Sequence, residues 1–188
     1  MNNLKQTLIP IWLLRYFHML KYKVASFSDH HSINKDQKSI FSAIHEENYW
    51  RSEESVSGIG SEANQTKELS AGLVHVLSKY NIETLLDVPC GDFNWMSRLH
   101  LVNIDYIGAD IVADLVENNN RKYSSESIRF VNLDLISQEL PMSDMIFCRD
   151  CLVHFSYDDI WSALCNIIRS GSKYLLTTSF PETKWNHN

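Results

Sequence analysis

The sequence predicts an α/β domain with a mostly parallel sheet and helices on both faces. Short apolar runs recur at Leu85–Asp87, Ile104–Asp110, Ile128–Leu133, Asp144–Cys148 and Tyr174–Phe180. Each has the length and content of a buried strand. Segments with apolar residues at helical spacing lie between several of them, the alternation that builds a parallel sheet. Acids stand at or just after three of the runs, at Asp87, Asp110 and Asp134. The carboxyl ends of strands are where open α/β sheets gather their ligands.

Composition narrows the class. With 188 residues the chain is long enough for one domain with a sizeable core. A formal net charge of −6 argues against a nucleic-acid phosphate surface as partner. Four scattered cysteines make no disulfide framework, so a reducing cytoplasm is the expected setting.

The stretch Leu85-Leu86-Asp87-Val88-Pro89-Cys90-Gly91-Asp92-Phe93-Asn94-Trp95 organises the rest. A strand runs into a turn in which Pro89 fixes the backbone and Gly91 lacks a Cβ. Phe93, Trp95, Met96 and Leu99 then predict a helix leaving the turn. A dinucleotide fingerprint needs Gly-x-Gly-x-x-Gly so that backbone can approach a pyrophosphate. Here Pro89 and Phe93 stand where glycines would be expected. A ligand without phosphates suits this turn better, with Asp87 reaching a cationic amino group. At these residues the chain resembles the class I S-adenosylmethionine (SAM)-dependent methyltransferases. More narrowly, it is similar to a bacterial branch with Asp-x-Pro-Cys-Gly-Asp-Phe-x-Trp in this turn.

Before the turn, residues 1–35 read as a basic, apolar leader, and 36–188 as the domain. Lys5, Arg15, Lys21 and Lys23 precede any acid, and the run Leu8–Leu14 contains Pro10. That run is too short to span a bilayer and has no cleavage site after it. A flexible or partner-packed leader is the plain reading, and a segment touching a membrane surface the alternative. His30-His31 falls in a loop, and adjacent histidines cannot share a helix face, so no metal site is expected there. Ile40, Phe41 and Ile44 predict a helix over about 36–50. A Gly/Ser loop ends at Ser61, a candidate cap for a helix striped by Leu69, Leu73, Val76, Leu77 and Tyr80. The resemblance implies that this loop and helix close over the cofactor; a plain linker is the alternative.

After the turn, Asp110 follows Gly91 by 19 residues, the place for an acid that accepts from ribose hydroxyls. A helix over 111–120 is expected to fray in Asn118-Asn119-Asn120. The resemblance puts Asp134 at the adenine amino group, although Asp after a strand is also a favoured turn residue. The second chemical centre is Cys148-Arg149-Asp150-Cys151-Leu152-Val153-His154, leaving the fourth strand. If helical, Asp150 and His154 share a face, and an Asp that orients a His prepares a general base. A polar contact holding the loop to the sheet is the alternative. Cys148-x-x-Cys151 has no partner pair at zinc spacing, so two buried thiols are expected. Ser156 caps the next helix, with Ile160, Ala163, Leu164, Ile167 and Ile168 as its stripe, Arg169 in its last turn and Gly171 as its stop.

The resemblance implies methyl transfer from SAM to an O, N or C atom of a small molecule or glycan. The cofactor residues it implies are Asp87, Pro89, Gly91, Asp92, Trp95, Asp110, Asp134 and Arg149. Asp150 and His154 would serve the acceptor. An NAD-dependent oxidoreductase and a non-catalytic SAM-binding remnant are the alternatives. A full sheet of this family has seven strands, and only five are counted here. The expectation is therefore a C-terminally shortened member lacking the last two strands. Leu175–Phe180 would then lie at an exposed edge, covered by an N-terminal segment such as residues 8–20 or by a second copy in a homodimer.

Overall fold

The computed structural model describes residues 37–47, 49 and 52–179, together with the backbone of 5–10. In chain order the elements are β1 (Lys5–Pro10), α1 (Gln37–Glu46), α2 (Ala63–Lys79), β2 (Thr84–Asp87), β3 (Asp105–Asp110), α3 (Ala113–Tyr123), β4 (Ile128–Asn132), β5 (Met145–Cys148), α4 (Tyr157–Arg169) and β6 (Tyr174–Ser179). His30, His31, Trp50 and the residues after Ser179 lie outside the described set. The chain divides into two compact units: one runs from His31 to Asp134, and the other includes β1 and the chain from Leu135 onward.

In the first unit β2, β3 and β4 form a parallel ladder. Leu85 pairs with Tyr106, Asp87 with Gly108, and Asp110 with Asn132. Leu85, Leu86, Tyr106 and Ala109 are fully buried, as strands covered on both faces require. α2 buries Leu73 and Leu77 of its expected stripe. Ser61 does not cap it: Ser61 ends a short 3-10 turn (Ile59–Ser61), and the backbone N–H of Ala63 donates instead to Glu54 Oε1 at 3.1 Å. α3 does not fray at its asparagines but continues to Tyr123.

The helix expected after Gly91 is reduced to one 3-10 turn, Met96–Arg98. Phe93 sits at φ 58°, outside helical space. Its ring is buried against Tyr106, Tyr123 and Phe130, with centroids 4.9, 5.1 and 5.0 Å away. Met96 and Trp95 are buried too. Apolar spacing alone does not distinguish such a knot of separately buried side chains from a helix stripe.

In the second unit β5 and β6 are parallel, with Met145 opposite Tyr174 and Cys148 opposite Thr177. β1 pairs antiparallel with the other side of β6, from Lys5 opposite Ser179 to Pro10 opposite Tyr174. The exposed edge at β6 is therefore corrected: of the two covers expected, an N-terminal segment fills it, at residues 5–10 rather than 8–20. α4 is capped as expected, Ser156 Oγ accepting from the N–H of Asp159 at 3.2 Å. It buries Ala163 and Ile167 together with Asn166, whose Nδ2 donates to the carbonyl of Leu135 at 2.9 Å. Cys148 and Cys151 are both buried thiols.

Candidate functional site

The parallel ladder brings three predicted acids to the same ends of neighbouring strands. Asp87 closes β2, Asp110 closes β3, and Asp134 follows β4 by two residues. Asp87 and Asp110 are buried, and Asp134 is half-buried. Asp87 Oδ2 accepts from the hydroxyl of Tyr106 at 2.6 Å. Asp110 takes two backbone amides, Val112 N–H on Oδ1 and Gly91 N–H on Oδ2, each at 3.0 Å. Burial pushes the Asp110 carboxyl above its ordinary range, against the pull of those amides and of His45.

The amides of the turn between them are satisfied by acceptors of the same unit. Cys90 N–H donates to the carbonyl of Ala109 at 2.9 Å, and Phe93 N–H to that of Cys90 at 3.4 Å. Asp92 N–H donates to Ser57 Oγ at 3.0 Å, and Asn94 N–H to Asp92 Oδ1 at 3.2 Å. With Gly91 N–H on Asp110, five consecutive amides already have acceptors. The Gly91 carbonyl accepts from Nδ2 of buried Asn119 at 2.7 Å. Gly91 itself sits at φ 56°, where glycine alone is free of strain.

The Gly/Ser loop is a strap on this turn. Asp92 Oδ2 accepts from Val56 N–H at 3.0 Å, and Asp92 Oδ1 from Ser57 Oγ at 3.4 Å. Glu54 Oε1 also takes Asn94 Nδ2 at 3.0 Å and the Arg98 guanidinium at 2.8 Å. The Asn94 bond, then the Ala63 amide, hold the Glu54 carboxyl below its ordinary range. A cavity of about 420 Å³ lies in this region, walled by the strap, α3 and His45 of α1. His45 Nδ1 is buried without a hydrogen-bond partner among the described residues.

Arg149, Asp150 and His154 belong to the other unit. The segment is not α-helical: Asp150 has φ 49°, and Leu152–His154 is a 3-10 turn. The expected shared helix face is thereby corrected. Asp150 is held by its N–H, which donates to Thr178 Oγ1 at 2.9 Å, and by Arg149, 2.9 Å from Oδ2. Its Oδ1 is buried with no hydrogen-bond partner among the described residues. Partial desolvation lowers the His154 imidazole below the ordinary histidine value, more than nearby Asp150 raises it, although the residue as a whole is exposed. His154 is therefore neutral at pH 7.

Of the predicted residues, Asp87, Gly91, Asp92, Asp110 and Asp134 cluster around the strand ends, with Pro89 half-buried beside them. Asp92 holds the strap, Trp95 packs into the core at 7% exposure, and Arg149 pairs with Asp150. The sequence reading missed Glu54, Ser57, Tyr106 and Asn119. Tyr106 carried a signal, a hydroxyl inside an otherwise apolar run, which needs a buried partner. Asn119 had none, because three adjacent asparagines look like a fraying helix end.

No protein-family model and no curated protein sequence matches the chain. Solved structures share its fold. The chain is similar to magnesium protoporphyrin IX methyltransferase (ChlM) from Synechocystis PCC 6803 with bound SAM. That match has TM-score 0.59 and 16% identity, covering 84% of this chain and 82% of that one. It is similar to the methyltransferase domain of bacterial CtHen1, with TM-score 0.54 and 15% identity over 68% and 74% of the two chains. It is also similar to the N-methyltransferase NodS from Bradyrhizobium japonicum WM9 in complex with S-adenosyl-L-homocysteine. There the TM-score is 0.51 and the identity 14%, over 59% and 60%. The fold is the Rossmann-like α/β fold that these methyltransferases share.

Proposed function

We propose that this chain is a SAM-dependent methyltransferase acting on a small-molecule or glycan acceptor. The observation that carries the reading is the turn whose five successive amides are satisfied internally. A pyrophosphate needs free N–H groups at such a turn. Their engagement argues against NAD or a nucleotide triphosphate and suits a cofactor held by acids instead. Asp87, Asp110 and Asp134 supply them. The neighbours in fold that carry SAM or its demethylated product support the same cofactor.

The donor set fits SAM. Asp87 would hold the ammonium of its methionyl end and Asp110 the ribose hydroxyls. A carboxylate oxygen has two lone-pair sites, so an amide on each leaves Asp110 further acceptor capacity. Asp134 would accept from the adenine amino group. When bound, SAM supplies a methyl group already activated by a positive sulfonium, so positioning does most of the work. On the acceptor side, the neutral His154 imidazole can take a proton from a hydroxyl or amine. Asp150, with Oδ2 fixed by Arg149, is assigned to the acceptor side on the family resemblance.

The test follows label from methyl-labelled SAM into a panel of small molecules and glycans. Transfer that falls at least tenfold in Asp150→Asn and His154→Asn, with SAM binding kept, supports these roles. Loss of SAM binding and thermal stability together would assign both residues to structure. Binding with no transfer to any acceptor would favour a non-catalytic SAM-binding protein.

A further inference from the structure

Tyr106, the second residue of β3, is fully buried, where phenylalanine would fill the same space without a polar group. A buried hydroxyl left without a partner is destabilising. The hydroxyl finds Asp87 Oδ2 at 2.6 Å, a charge-assisted distance. Burial and the Asp87 charge push the phenol well above its ordinary range, so it keeps its proton and donates.

The ring reaches Asp87 through a gap built for it. In the register of the ladder Asp87 lies opposite Gly108, and Tyr106 two residues earlier faces Leu85. The Tyr106 ring therefore crosses position 108 to reach the acid. A Cβ at position 108 would meet Phe130 Cδ1 at 2.5 Å and Tyr106 Cε1 at 3.0 Å. Gly108 has no positive φ; it is glycine because two rings close over it.

We infer that Tyr106 is a positioning residue, set over Gly108 to fix the carboxylate of Asp87 for a cationic group. The inference rests on the SAM reading, in which that group is the ammonium of the methionyl end. Held by the phenol on one side, the carboxylate cannot rotate into the core, and it meets the cation without reordering.

Titration calorimetry with two probes tests this. SAM carries the ammonium; 5′-methylthioadenosine shares the adenosine and lacks the whole amino-acid end. Tyr106→Phe should weaken SAM about tenfold and leave 5′-methylthioadenosine within about twofold. Equal weakening of both probes, or of neither, would overturn the positioning role. Should Tyr106→Phe fail to fold, Tyr106→Phe with Asp87→Asn leaves no carboxylate unpaired. Against Asp87→Asn alone, the added change should cost SAM less than about twofold, because the hydroxyl acts through the acid. A further tenfold loss would overturn the inference. Wild-type protein that binds neither probe would overturn the SAM reading itself, a result distinct from a wild type that binds both while Tyr106→Phe is silent.

Discussion

Ser57 Oγ stands 2.2 Å from the point where a Cβ on residue 91 would lie. The strap can rest on the turn only because residue 91 has no side chain. Gly91 thus answers two demands at once, a left-handed backbone at φ 56° and close approach by another loop.

Gly91→Ala should therefore be costly beyond its one methyl group. Backbone strain and overpacking together predict a loss of about 2–4 kcal/mol. Urea unfolding measures the loss, and amide exchange at Val56 and Asp92 reports whether the strap has lifted. Protection at both amides with unchanged stability would show that the turn tolerates a Cβ.

The three adjacent asparagines should separate sharply under alanine substitution. Asn119→Ala leaves the Gly91 carbonyl without its buried donor and should cost about 1–3 kcal/mol. Asn120→Ala removes a side chain that bonds both the N–H and the carbonyl of Phe130, at 3.2 and 2.9 Å, and should cost a similar amount. The hydrogen bond that Asn118 makes among the described residues is to exposed Arg121, so Asn118→Ala should stay within about 0.5 kcal/mol. Melting temperatures of the three variants decide it; equal values would break the assignment.

These asparagines also mark the limit of what the sequence could tell. The five parallel strands were legible because parallel-sheet strands are apolar runs, whereas β1, antiparallel and read as part of the leader, was not. The α4 cap was legible because Ser-x-x-Asp precedes an amphipathic stripe. Asp110 was legible from its spacing after Gly91, Asp87 from its place at the end of an apolar run, and Asp134 only from the family resemblance. What escaped was long-range: Asn119 reaching back 28 residues to Gly91, and Asp92 gripping Val56 across 36. Tyr106 looked like one more β-former, since its partner is set by register. The helix misread after Gly91 has the same origin, because the burial of Phe93 among three other rings is a tertiary fact.

His154 gives a signed pH dependence. Its folded pKa is lowered, chiefly by partial desolvation, so the unfolded chain binds the proton more readily. Its effect on stability is absent above the ordinary histidine value of about 6.5. As pH falls from there through the lower folded value, protonation of the unfolded state should destabilise the protein. His154→Asn should flatten that part of the stability curve. If His154 is the base, the acidic limb of the turnover profile also lies below about pH 6.5 and vanishes in the variant. A wild-type limb above that value would assign the base elsewhere.

The antiparallel pairing of β1 with β6 makes a prediction about association. Removing residues 1–10 would free the backbone groups of Tyr174–Ser179 on one side. An unpaired, apolar strand edge recruits other chains. Light scattering should show concentration-dependent association in the shortened protein and less in the full chain. Equal behaviour would mean that β1 does not guard this edge.

In the proposed function the acids at the ends of β2 and β3, and just beyond β4, hold a cationic, phosphate-free cofactor. Parallel calorimetric titrations of the full chain with SAM and with NAD test it most directly. SAM should bind saturably at one site per chain, and NAD should give no heat of binding. Binding of NAD with none of SAM would contradict it.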